Sequence, residues 1–324
     1  MAVGEKLARV PIRVRATGWS LTSWVLFASS GPLAKAVMVA GWSPAAVTSV
    51  RIAVAAVLLV PVAALTRPRA LRFRHAELWL LIGYGVVGVA GVQLMFFVAV
   101  ARVPVAVAMV LVNLAPALVA LWVQTVRRTR LPQQVWLGIG LAVAGLIMVA
   151  EVWHDTRLDL LGVGAGLGSA VCSAGYFLLG EHGARRHDPI GLTAVGLAVG
   201  AVVVAVFTPP WMLPTDLFTA PAVLGGVQVP VWLMMLALAA AGTVLPYLVG
   251  LVALRDLPST LASVLAVVEP LVAAVLAWLL LGQSLELEQM VGVVIMLVGA
   301  LLVQLTMPET TRVIPTAEFA QGRK

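Results

Sequence analysis

Glu269 is a carboxylate inside a long apolar run, Pro258 to Leu280, and Pro270 follows it directly. If that run crosses a bilayer, Glu269 lies about 11 residues in, roughly 16 Å at 1.5 Å per residue, and therefore near the midplane. An ionisable group at that depth is costly and is a functional candidate by default, here for a substrate or a proton. Asn113 lies at similar depth in another apolar run and is followed by Pro116. A proline inside a helix has no N–H to donate, so each frees the carbonyl four residues earlier, at Ala266 and Val112. Together these supply a carboxylate, an amide and two open carbonyls. The plainer alternative is a protonated Glu269 hydrogen-bonded within a structural kink.

Other polar residues interrupt apolar runs. Lys35, Arg51 and Gln93 fall in the outer thirds of their runs. Two cations there would suit an anionic group such as a carboxylate; alternatively, both long side chains snorkel to the headgroups. Tyr247 and Tyr176 fall in the inner thirds, where they line a pathway or anchor at the interface. Trp24 is a further candidate for lining a cavity, whereas Trp79, Trp136, Trp153 and Trp211 read as belt residues at the interfaces.

The elements that must position these groups are membrane spans. The chain is 61% hydrophobic and 11% charged, with a mean hydropathy of +1.05. A soluble domain would be about a quarter charged. Period-2 alternation is absent, which favours a helical bundle over a β-barrel. Ten spans are predicted, over 18–39, 45–65, 77–100, 104–124, 134–151, 160–180, 189–208, 230–254, 258–280 and 287–306. The basic N-terminal stretch lacks a small-residue cleavage site, so the first apolar run is read as a span. Thr208 to Val229 is read as the longest loop, and the four histidines, His75, His154, His182 and His187, all as loop residues.

The net charge of +7 is a topology signal rather than a nucleic-acid footprint. With the N-terminus in the cytoplasm, Arg67, Arg69, Arg72, Arg74, Arg127, Arg128, Arg130, Arg185 and Arg186 all fall inside, as do both tails. The outer loops keep only Arg102 and Arg157. Cys172 is the only cysteine, so an intrachain disulfide is excluded.

A shift of 154 residues lays Pro104–Val149 on Pro258–Val303 without a gap. Pro104 falls on Pro258, Pro116 on Pro270, Gly138 on Gly292 and Gly145 on Gly299. The chain therefore contains an internal repeat. It divides into a basic N-terminal tail (1–17), a first repeat (18–152), a second repeat (153–306) and a polar C-terminal tail (307–324). Five spans per repeat is an odd number, so the second repeat must be inverted relative to the first. Inverted repeats are a recurring build of secondary transporters, with the substrate site near the midplane between the halves.

Leu245-Pro-Tyr247, Ala253-Leu-Arg-Asp-Leu-Pro258, Ser263, Glu269-Pro270, Ala277-Trp278, Leu281-Gly282, Gly292 and Gly299 carry a resemblance to the drug/metabolite transporter superfamily, specifically its EamA-type permeases. Pro44, Arg51, Pro104, Asn113, Pro116 and Gly138 are weaker forms in the first half. The C-terminal half looks most like threonine/homoserine-type exporters. One departure is Gln283, where the family carries Glu. The resemblance implies that the first four spans of each half surround a central cavity, while the fifth and tenth pack outside it.

The expected protein is a proton-coupled permease of a bacterial-type inner membrane. It would export a small metabolite, an amino acid or derivative, by alternating access. The candidate binding and coupling residues are Glu269, Asn113, Lys35, Arg51, Gln93, Tyr247, Tyr176 and Trp24, with helix breaks at Pro116 and Pro270. Its partners are a small-molecule substrate, protons and the bilayer, but not nucleic acid; a homodimer stays open. No cofactor or metal is expected. Efflux of lipophilic or cationic drugs is an alternative, and a non-transporting scaffold or sensor is another of a different class. An intramembrane enzyme would need a paired acid, an activated nucleophile or a metal cluster within the spans.

Overall fold

Capping begins the long helices. The Ser43 side chain accepts from the Ala46 N–H at 3.2 Å, and Pro44 occupies the first turn, where its missing N–H costs nothing. Asp188-Pro189 repeats the device in the second half, with Asp188 accepting from the Ile190 N–H at 2.9 Å. Asp159 caps a third helix through the Gly162 N–H.

The computed structural model describes residues 12–103, 105–149, 159–209, 212–213, 215–281 and 287–306. Pro104, Trp153, His154, Arg157, Trp211, Gly282, Gln283 and both tails (1–11 and 307–324) lie outside them. The helices are α1 (Ile12–Val39), α2 (Pro44–Thr66), α3 (His75–Ala99), α4 (Val105–Val112), α5 (Ala115–Thr125), α6 (Gln133–Val149), α7 (Leu160–Ala184), α8 (Pro189–Phe207), α9 (Val231–Leu254), α10 (Ser259–Leu265), α11 (Val268–Leu281) and α12 (Leu287–Thr306). Five of these (α2, α3, α7, α8 and α9) are long and apolar enough to cross a membrane; α5, α6, α10, α11 and α12 contribute shorter apolar stretches.

The two halves share irregularities as well as helices. α3 contains a π-helical segment at Tyr84–Gly91, and α9 contains one at Ala240–Val244. Gly88 and Gly242, 154 residues apart, lie within these segments. A Cβ on Gly88 would stand 3.2 Å from the Tyr176 Cα on α7, and one on Gly242 would stand 2.9 Å from the Ser30 Cβ on α1. Each π segment therefore sits hard against the helix it faces.

Both predicted kinks are complete breaks. The fourth predicted span divides at Asn113–Leu114 and the ninth at Ala266–Val267. Ahead of Pro270 the backbone tightens into three-residue turns: Ala266 N–H donates to the Ser263 carbonyl, and Val267 N–H to the Val264 carbonyl. Glu269 N–H then donates to the Ala266 carbonyl at 2.9 Å. This corrects the expectation of an open acceptor at Ala266, because the residue that carries the carboxylate already uses that carbonyl.

α6 and α12 pack against each other and outside the cavity-lining helices. A Cβ on Gly138 would stand 2.7 Å from the Gly299 carbonyl oxygen, and one on Gly145 would stand 2.5 Å from that of Gly292. The two helices therefore run antiparallel, with backbone on backbone at both crossings.

The segment read as an unbroken loop contains a 3₁₀ turn, Thr215–Thr219, and a hairpin of β1 (Pro221–Leu224) and β2 (Val227–Pro230). Gly225 and Gly226 form its two-residue turn with φ of 57° and 79°, the left-handed pair that such turns require. The segment covers Trp42, which is 2% exposed and meets Phe218 edge-on at 4.8 Å. His182 is likewise not a loop residue; it lies in the last turn of α7.

Candidate functional site

A cavity of about 370 Å³ lies among α1, α2, α3, α7, α9 and the two broken spans. It brings together Trp24, Arg51, Gln93, Asn113, Tyr176, Tyr247 and Glu269, with Pro116 at one break. Lys35 does not join them. It is exposed on α1 and lies outside the lining. Pro270 is buried behind Glu269 and shapes the break without lining the cavity.

The breaks place the polar groups. Asn113 sits at the interruption between α4 and α5. Glu269 occupies the first turn of α11, where a helix dipole stabilises negative charge. Ser263, one turn before the second break, also faces the cavity. Arg51 projects from α2 and is 9% exposed; its Nε meets no hydrogen-bond partner, and it makes no ion pair with a described residue. Arg51 and Glu269 line the same cavity without forming an ion pair.

At one end the cavity rests on aromatic rings. Trp24 stacks on Phe27 at 5.3 Å and lies 5.8 Å from Phe177. Phe27 and Tyr176 both meet Tyr247 edge-on, at 5.2 and 5.6 Å. Tyr84 approaches Tyr176 from below at 5.7 Å. Such contacts prefer tilted and edge-on geometry, and each adds about 0.5–1.5 kcal/mol beyond its buried area. Ser23 ties α1 to α9 by donating to the Pro246 carbonyl at 2.7 Å, and Tyr247 Oη donates to the Gly88 carbonyl at 3.5 Å. From this floor the cavity runs past Gly31 and Ala34 toward Met38 and Pro44, at the end of the bundle that carries Trp42 and the hairpin.

The opposite end is basic and held by ion pairs. Glu181 of α7 is buried and bridges two guanidiniums: Arg127, beyond α5, at 2.8 Å and Arg185 at 2.9 Å. Arg67, after α2, pairs with Asp188, before α8, at 3.1 Å. Two of these pairs join the first half of the chain to the second.

Phe27, Phe96, Phe97, Ser30, Thr48 and Ser173 also line the cavity and were not expected there. An apolar or hydroxyl residue in an apolar span gives no signal of which way it faces. Only the repeat register, which aligns Gln93 with Tyr247, pointed to that part of α3.

Comparison with known proteins gives a consistent result. The sequence profile of the EamA-like transporter family matches residues 15–150 and again 160–305. Threonine/homoserine exporter RhtA of Salmonella typhimurium (strain SL1344) is 30% identical over 243 residues, covering 74% of each chain. The protein of the same name from Escherichia coli K12 is 30% identical over 251 residues, covering 76% of this chain and 77% of the relative. The uncharacterized transporter YwfM of Bacillus subtilis is 26% identical over 226 residues, covering 69% of this chain and 73% of the relative. A solved crystal structure has the same fold, with a TM-score of 0.72 at 18% identity over 90% of this chain and 97% of that one.

Proposed function

Since the chain belongs to the EamA-like transporter family, we propose that it is a secondary transporter that exports a small amino acid or close derivative in exchange for protons. The observation that carries this reading is the cavity, where Glu269, Arg51, Asn113 and Gln93 converge above an aromatic floor. The name of the RhtA relatives supports the substrate class.

The proposed architecture is ten spans in two inverted halves of five, with α4–α5 and α10–α11 as the broken fourth and ninth spans. The reciprocal antiparallel packing of α6 and α12, sequence equivalents in the two halves, supports the inversion. The matched π segments and matched breaks support the repeat. The arginines of the basic end support an orientation with that end, and both termini, in the cytoplasm of a bacterial-type cell. The hairpin is then external, and the cavity faces outward. Labelling of Arg128→Cys by an impermeant reagent from outside, on a Cys172→Ser background, would overturn this orientation.

Glu269 is the coupling residue of this reading. Closed away from water its ionised form is costly, and hydration or a nearby substrate ammonium lowers that cost. A proton and an ammonium therefore compete for one carboxylate. Rocking of the two halves about the site would turn that competition into exchange. Efflux of lipophilic cations would use Glu269 and the aromatic floor equally well, but Arg51 in the same cavity disfavours it.

The test is accumulation of radiolabelled L-threonine in proteoliposomes under an imposed pH gradient. Wild type should accumulate it. Glu269→Gln keeps shape and hydrogen bonding but cannot ionise, so it should lose gradient-driven accumulation; Glu269→Asp should keep part of it with a shifted pH profile. Unchanged pH dependence in Glu269→Gln would remove Glu269 from coupling, and absence of flux for any amino acid in wild type would refute the transport reading.

A further inference from the structure

Arg51 presents an unresolved charge. A guanidinium 9% exposed in an apolar bundle needs a partner, because a buried unpaired charge costs several kcal/mol. The described residues give it no ion pair, and its Nε has no hydrogen-bond acceptor. Glu269 lines the same cavity and does not close onto it. Two groups of opposite sign thus line one cavity without an ion pair between them, together with the amides of Asn113 and Gln93.

We infer that Arg51 receives the carboxylate of the transported molecule while Glu269 receives its ammonium, so that the site selects small zwitterions. This rests on the transport reading above and deepens it. A guanidinium presents a rigid fork of N–H donors that matches a carboxylate bidentately, which an ammonium on a flexible stem does not. The zwitterion neutralises both cavity charges at once. An amine without a carboxylate leaves Arg51 unpaired, and an N-acylated acid leaves Glu269 facing a neutral amide. Each such mismatch strands a buried charge, and stranded polar groups give the steepest discrimination available to a binding site. The aromatic floor and a volume near the low end of small-molecule pockets, roughly 300–1,000 Å³, limit the remaining side chain to a small one.

Equilibrium binding to the purified full-length protein in nanodiscs tests this without any gradient. The probes are the amino acids with L-threonine first, then L-threonine methyl ester, 1-aminopropan-2-ol and N-acetyl-L-threonine. Wild type should bind at least one amino acid at least tenfold more tightly than its ester, amine and N-acetyl counterparts. Arg51→Gln should bind the acid at least tenfold more weakly and lose the acid-over-ester preference. Arg51→Lys should bind it more weakly but keep the preference; it serves in place of Arg51→Gln should that variant fail to fold. Retention of the acid-over-ester preference in a folded Arg51→Gln, unchanged affinity in Arg51→Lys, or wild-type binding of no amino acid would each overturn the inference. The two readings fail separately. Gradient-driven flux of amines without zwitterion selectivity would sink this one alone, and selective zwitterion binding without flux would sink the transport reading alone.

Discussion

Lys35 and Arg51 show what one residue's position decides. Both are cations at similar depth in neighbouring helices, and sequence alone gave them equal standing. The rotation of α1 turns Lys35 outward, while α2 turns Arg51 into the cavity. Lys35→Gln is therefore expected to leave both substrate affinity and flux at wild-type levels, measured in the proteoliposomes used for Glu269. A severalfold drop at normal expression would place Lys35 on the pathway after all. The facing of a side chain in a span apolar on every side depends on packing partners far away in sequence. This is why Phe27, Phe96 and Phe97 gave no warning of their place beside the cavity. Glu269 and Asn113 were legible because polarity and proline coincide there, against a background that supplies neither.

Among the elements, the α6–α12 pair was the most legible. Gly138 and Gly145 recur as Gly292 and Gly299, and small residues at helical spacing in a span mark close approach. The close approach makes the position intolerant. In Gly145→Ala the new Cβ would meet the Gly292 carbonyl oxygen at 2.5 Å, and backbone cannot swing aside as a side chain can. A loss of about 1–3 kcal/mol is expected in unfolding from detergent micelles. Gly140, on the same helix, has open space where its Cβ would go. Gly140→Ala should be neutral or stabilise by up to about 1 kcal/mol. Equal effects of the two substitutions would show that helix propensity, not interhelical contact, governs this region. The hairpin was missed for a different reason. Gly225-Gly226 between two short apolar runs is a turn signal, but it lies in a segment with four prolines, Thr208–Val229, that reads as loop. Pro221 and Pro230 stand opposite each other at the hairpin's open end, where a missing donor is tolerated.

For the whole molecule, the ion pairs at the basic end matter most. Arg127–Glu181 and Arg67–Asp188 join the two halves at the end opposite the hairpin. If the halves rock, this is the end that must part. Glu181→Gln removes the carboxylate that two guanidiniums share. Because those guanidiniums are 39% and 45% exposed, the cost should be about 1–2 kcal/mol, below the 3–5 kcal/mol of a fully buried pair. Thermal unfolding in detergent measures that loss. The same variant should open its basic end more readily. Labelling of Gln93→Cys from the hairpin side, on a Cys172→Ser background, should slow correspondingly. Unchanged melting together with unchanged labelling would show that these pairs do not latch the molecule.

The reciprocal glycine crossings of α6 and α12 have a consequence for how such a chain can be assembled. Gly138 meets Gly299 and Gly145 meets Gly292, so each helix offers its partner the surface it accepts in return. A surface with that property is complementary to an upside-down copy of itself. Two genes, each encoding one half, would therefore restore this seam only if their products entered the bilayer in opposite senses. Co-expressed half-proteins carrying matched charge biases would lie parallel and leave the glycines facing lipid.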